Sequence, residues 1–301
     1  MSGRALALIT AALTAFLMVL GGVVHATESS LACPDWPTCH GQWMPEMVGG
    51  VLYEHSHRIV GTLVGVFTLA LAAALWRKGG MARAAGLGAI AIVIAQGILG
   101  GLTVILELPP PVSTAHLATA FTFLALLLWV SRLETPKLEV DESVCAWTGM
   151  AAMLVWAQSV VGALVRHSGA GAACGDDPFR CAGQWWPAWE LGRLQIFHRG
   201  VAIAVAVAVV GVAIVVFRSS ASARLRPFAV GAVSIVAAQI GLGLWSVTSA
   251  LDATVVTLHL AGGIALFATL LWMRLSVLDR ELARRARAGE TAEGKAQSVP
   301  A

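Results

Sequence analysis

The chain has 301 residues, 57% of them apolar and 12% charged, with a formal net charge of +3. Soluble domains carry roughly a quarter of their residues as charges, so this composition excludes a free-standing soluble enzyme and points to a bilayer. The slight positive excess follows membrane topology rather than forming a basic patch, and it gives no reason to invoke nucleic acid.

Apolar stretches of about 20 residues, long enough to span, predict eight helices over 5–25, 54–76, 82–106, 113–132, 144–166, 192–217, 226–249 and 253–277. The first, with Arg4 ahead and Val24-His25-Ala26 behind, has the outline of a secretory signal. Its repeat-equivalent fifth stretch lies mid-chain and cannot be cleaved, so the first is expected to be retained. With the N-terminus inside, the inner segments carry fifteen of the twenty basic residues, from Arg4, Arg77, Lys78 and Arg83 to the Arg284–Lys295 tail. That bias puts both termini in the cytoplasm and the long loops outside the cell membrane. The polar tail, 281–301, is expected to be disordered.

Two long loops interrupt the helices and match each other. "VVHATESSLACPDWPTCHGQW" and "LVRHSGAGAACGDDPFRCAGQW" each carry a histidine, two cysteines and Gly-Gln-Trp. The match extends into the helices: Gln96 and Gln239 each precede a histidine, His116 and His259, by 20 residues. The predicted architecture is an all-α membrane protein of two tandem four-helix bundles, 1–133 and 134–280, joined by the polar segment 131–143. An even helix number per unit relates them by a pseudo-two-fold axis along the membrane normal.

Four histidines fall at equivalent places: His57, His116, His198 and His259 open helices 2, 4, 6 and 8. All lie at similar depth toward the outer side, and intramembrane ionisable groups are costly unless they face a partner. Paired imidazoles from facing helices can hold a haem iron, because a porphyrin supplies the other four nitrogens; zinc would want four protein ligands. Arg58 and Arg199 follow two of these histidines and are candidates to pair with haem propionates. His25 and His167 match at the outer ends of helices 1 and 5, with structural and functional roles both open. His40 and His55 have Ala182 and Ile196 opposite them, so neither belongs to the shared framework.

The halves differ at Glu54, which aligns with Gln195. Glu54 shares a helix face with His57, three residues on. A carboxylate there can act as a base or stabilise developing positive charge, whereas an amide cannot take a proton. The first half therefore reads as the reaction site and the second as an electron relay. Cys33, Cys39, Cys174 and Cys181 lie in the outer loops at spacings that suit two disulfides in an oxidising setting; either bridge is structural or redox-active. Cys145 is expected to be unpaired.

Together, "CPDWPTCHGQW", "EHSHR", "STAHLATAF", "FHRG" and "TLHLAGG" resemble bacterial haem A synthase over roughly residues 5–277. The resemblance implies oxidation of a haem O methyl to a formyl group, making haem A for terminal oxidases. It implies a haem b on His198 and His259, substrate haem at His57 and His116, a catalytic Glu54, and a first cysteine pair linked to activity. Haem O synthase and a second copy of the chain are candidate partners beside membrane lipid. The rival reading is a non-enzymatic membrane b-type cytochrome passing electrons between quinol and an outer acceptor. That reading leaves the Glu54/Gln195 difference unexplained.

Overall fold

A backbone inside hydrocarbon must satisfy its own hydrogen bonds, so long apolar runs without internal proline become helices. The computed structural model describes residues 2–281 and 283–284. It contains eight helices long and apolar enough to cross a membrane: α1 (Gly3–Ala26), α2 (Gly49–Trp76), α3 (Gly80–Ile105), α4 (Pro110–Arg132), α5 (Glu142–His167), α6 (Glu190–Arg218), α7 (Arg226–Thr248) and α8 (Ala253–Leu275). Proline occurs in them only at the first turns of α4 and α7, where its missing N–H costs nothing. Asp252 caps α8 by accepting from the N–H groups of Thr254 and Val255.

Within residues 3–132, α1 packs on α2 and α4, and α3 on α2 and α4; within 142–275, α5 packs on α6 and α8, and α7 on α6 and α8. The two groups meet where α4 touches α5 and α8 and where α1 touches α8. At that seam Phe121 and Phe267, both buried, stack edge to face with centroids 5.3 Å apart. Small residues set the approach distances: a methyl at Gly22 would lie 2.6 Å from Leu260, so α1 and α8 are close enough only because Gly22 lacks a side chain.

The loops reproduce each other in detail. Cys39 and Gln42 exchange two backbone hydrogen bonds, as do Cys181 and Gln184. Both central residues of each turn have positive φ: His40 and Gly41 in one, Ala182 and Gly183 in the other, the type I′ pattern. The α3–α4 and α7–α8 corners likewise each place two consecutive residues at positive φ, Glu107-Leu108 and Ala250-Leu251.

The segment 131–143, expected as a plain polar join, contains strand β1 (Leu138–Val140), which pairs in parallel with β2 (Val277–Asp279) just after α8. Val140 is fully buried there, and Asp141 accepts from the Ser219 hydroxyl at 2.6 Å. In the expected disordered tail, Glu281, Ala283 and Arg284 are helical, and the rest lies outside the described residues.

Candidate active site

All four framework histidines stand at the end of the helices that carries the cysteine loops, but deeper than helix openings. α2 begins at Gly49, five residues before the predicted start, so His57 lies about 12 Å into it at 1.5 Å per residue. His198 sits equally deep in α6, and His116 and His259 lie about 9 Å into α4 and α8. His116 is within electrostatic range of His57, and His259 of His198.

Each ring faces a glycine on the neighbouring helix. A methyl at Gly21 (α1) would lie 3.0 Å from His57 Cε1, at Gly100 (α3) 3.2 Å from His116, at Gly162 (α5) 3.0 Å from His198 and at Gly243 (α7) 3.5 Å from His259. The rings are half-buried, and the Nδ1 of every one is sealed from solvent without a hydrogen-bond partner. Gln96 and Gln158 donate to the backbone carbonyls of His116 (2.9 Å) and His198 (3.0 Å), and Gln158 Nε2 also lies 3.4 Å from His198 Nε2. Buried polar atoms are normally paired. Four imidazoles in two pairs, each with an unpartnered Nδ1, are a donor set that fits iron porphyrins.

Glu54 is not an interfacial carboxylate in water. It is 4% exposed; its Oε2 accepts from the Cys33 N–H at 2.7 Å and its Oε1 from Arg58 Nη2 at 2.6 Å. Arg58 also donates to the carbonyls of Cys33 (3.0 Å), Asp35 (2.7 Å) and Thr38. Both terminal nitrogens of Arg58 are thus committed within the protein. Every loop atom in this clamp lies between Cys33 and Cys39, which are joined by a disulfide. Asp35 closes the loop further, accepting from His40 N–H (2.6 Å), Gly41 N–H (2.9 Å) and the Thr38 hydroxyl. Those bonds, the Thr38 hydroxyl first, hold its carboxyl down to about 2 from an ordinary 3.8.

The second half keeps the frame and inverts the chemistry. Gln195, 6% exposed, donates through Nε2 to the Gly171 carbonyl at 3.2 Å, and its Oε1 has no partner. Arg199 donates to the Arg180 carbonyl at 3.1 Å and keeps a buried, unpartnered Nη2. Of the two arginines considered for propionates, Arg199 therefore retains a free donor. Cys174 and Cys181 form the second disulfide, and Cys145 is free and buried.

His25 and His167 touch each other across the two helix groups, ring centroids 4.8 Å apart. His40 is engaged with the Ala32 carbonyl at 2.9 Å. His55, which the repeat gave no reason to select, is 5% exposed with both ring nitrogens unpartnered, beside the first disulfide. No sequence signal marks it, because Ile196 occupies its place in the second half.

Known proteins with the same pattern were found. The COX15-CtaA family model, described as cytochrome oxidase assembly protein, matches residues 4–271. A protein named "Heme A synthase" from Halalkalibacterium halodurans is 32% identical over 183 residues, covering 57% of this chain and 61% of the relative. The chain thus spans about three fifths of that relative's length in the aligned region. Proteins of the same name from Bacillus licheniformis (28% identity; 66% and 70% covered) and Staphylococcus saprophyticus (26%; 94% and 97%) are also similar. With the family match running from the second residue of α1 almost to the end of α8, the chain belongs to the COX15-CtaA family of cytochrome oxidase assembly proteins.

Proposed function

We propose that this protein is a haem A synthase, an oxidoreductase that converts the methyl group of membrane-dissolved haem O to a formyl group. The half-reaction balances as ring-CH3 plus water giving ring-CHO, four protons and four electrons, the electrons passing to a one-electron acceptor outside the chain. The observation that carries the reading is Glu54: buried, aligned on the helix face of His57, and held by the Cys33 N–H and Arg58. The names of the relatives supply the product, haem A, and the motif resemblance supplies haem O as the substrate.

His57 and His116 receive the substrate haem in the first half. Glu54 takes a proton from the attacking water or from the hydroxylated carbon, and its charge favours cationic character there. A second hydroxylation gives a geminal diol, and loss of water leaves the aldehyde. Arg58 keeps the carboxylate aimed, and the disulfide-closed loop shields it from bulk water. His198 and His259 would hold a haem b, which supplies single-electron transfer when bound. Gln195 keeps that half free of proton chemistry. Arg199, with its spare donor, is the stronger of the two propionate partners.

The matching loops, corners and histidine depths support two tandem four-helix halves, divided near 133 and related by a two-fold axis along the membrane normal. The charge bias supports cytoplasmic termini and cysteine loops outside the cell membrane. Haem O synthase, as the source of substrate, is the proposed partner. The b-type cytochrome reading accounts for the histidines but leaves the clamped carboxylate without a role.

The test is expression with a haem O source, followed by pigment extraction. Glu54→Gln keeps the shape and burial but cannot accept a proton; it is expected to retain bound haem and lose conversion. Full conversion by Glu54→Gln at unchanged haem content would refute the assignment.

A further inference from the structure

The proposed reaction leaves one buried polar cluster unused. A ring nitrogen of His55 and the sulfurs of Cys33 and Cys39 all lie within 4.8 Å of one another, and all three residues are buried. Neither His55 nitrogen has a hydrogen-bond partner, which is uncommon for a polar group inside a protein. The sulfurs are at present bonded to each other. If they were not, three good ligand atoms would converge on one point.

We propose that Cys33, Cys39 and His55 form a redox-gated site for a soft monovalent metal ion, copper(I), that opens when the disulfide is reduced. A dithiol donor passes two electrons and two protons to the bridge and is itself oxidised to a disulfide, leaving two thiols. Copper(I) then displaces both thiol protons, forming two Cu–S bonds and one Cu–N bond to His55.

Three features select this ion. Thiolates favour copper(I) and zinc over hard cations, and among the described residues no fourth histidine, cysteine or carboxylate joins the cluster. A structural zinc site wants that fourth ligand. Glu54, the nearest carboxylate in sequence, is already committed to Cys33 N–H and Arg58. A metal bridging the sulfurs also closes the same six-residue span that the disulfide closes, so the loop that holds Glu54 persists in either state. The second loop, with Ile196 in place of the histidine, lacks the third ligand and serves as an internal control.

The proposal is independent of the haem reading, and its test reads metal rather than turnover. The full chain in detergent is reduced anaerobically with a water-soluble phosphine, desalted and titrated with copper(I) acetonitrile complex against bicinchoninate. One equivalent retained by the reduced protein and none by the disulfide form is expected, with X-ray absorption showing two sulfur ligands and one nitrogen. His55→Phe, which leaves the disulfide and loop intact, should weaken binding at least about tenfold. The Cys33→Ser/Cys39→Ser pair should abolish it, whereas Cys145→Ser and Cys174→Ser/Cys181→Ser leave it unchanged. Equal retention by His55→Phe, equal binding to the oxidised protein, sulfur-only coordination, or a bridge that cannot be reduced without unfolding would each overturn the site.

Discussion

At the scale of single residues, Glu54 and Gln195 show how one substitution changes what a shared frame can do. A carboxylate only accepts, so Glu54 takes the Cys33 N–H and Arg58; an amide also donates, so Gln195 turns its nitrogen to a loop carbonyl. The asymmetry was legible in the sequence because both halves could be aligned. The partners were not, because Arg58 is held by main-chain carbonyls of Cys33, Asp35 and Thr38, which leave no side-chain signature. The expectation that Arg58 faces a propionate followed from its position beside His57, where main-chain acceptors give no sequence signal. The Glu54 and Arg58 side chains are 6% and 13% exposed, and removing one partner of a buried pair costs about 3–5 kcal/mol. Arg58→Ala is therefore expected to lower stability on that order and cut conversion about a hundredfold through misplacement of Glu54. Arg58→Lys should rescue little, since one ammonium cannot span the same four acceptors. Thermal unfolding monitored at the tryptophans, together with pigment analysis, checks both; wild-type conversion by Arg58→Ala would show the clamp to be dispensable.

Among elements, the helix spans were readable to within a few residues except at the start of α2. The polar group Glu54-His55-Ser56-His57 looks like a helix mouth to hydropathy, yet the helix begins at Gly49 and buries Glu54 and His55. Those polar residues are tolerated inside because the α1–α2 loop, through Cys33 and Cys39, folds over them, a tertiary contact that periodicity does not report. The glycine opposite each histidine was equally hidden, since a single sequence does not say which helices are neighbours. That pairing yields graded expectations. At Gly162 an added methyl would meet His198 at 3.0 Å, tighter than van der Waals contact, whereas at Gly243 it meets His259 at 3.5 Å, an ordinary contact. Gly162→Ala should therefore shift the His198 ring and lower b-type haem content or alter its spectrum, while Gly243→Ala stays close to wild type and Gly162→Val loses the haem. Pyridine haemochrome content and the reduced-minus-oxidised spectrum measure this. Equal behaviour of the two alanine variants would mean that the rings have more room than the packing implies.

At the largest scale, the eight helices among the described residues and the two matching loops were evident from charge, hydropathy and cysteine spacing. The β1–β2 ladder was not, because three-residue strands are too short to show a period. The basic residues cluster at the end opposite the cysteine loops, and this predicts the orientation: an alkaline phosphatase fused after Trp43 should be active and one fused after Lys137 inactive, with the reverse pattern overturning the topology. The unequal use of the two disulfides is a stronger test of how the halves divide the work. Glu54 and Arg58 are gripped by Cys33, Asp35 and Thr38, all inside the first disulfide loop. Gln195 reaches Gly171, which precedes the second bridge, and only Arg199 touches a residue within it, Arg180. Opening the first bridge frees the residues that hold the Glu54 carboxylate; opening the second frees one arginine contact in the half where Gln195 stands in place of that carboxylate. Cys33→Ser/Cys39→Ser is thus expected to lower haem A formation about a hundredfold at unchanged b-type haem content. Cys174→Ser/Cys181→Ser should leave formation within about tenfold of wild type, because loss of one exposed hydrogen bond is worth about 0.5–1.5 kcal/mol at most. Equal losses from both pairs would show that the bridges serve overall stability, and the division of labour between the halves would then have to rest on Glu54 alone.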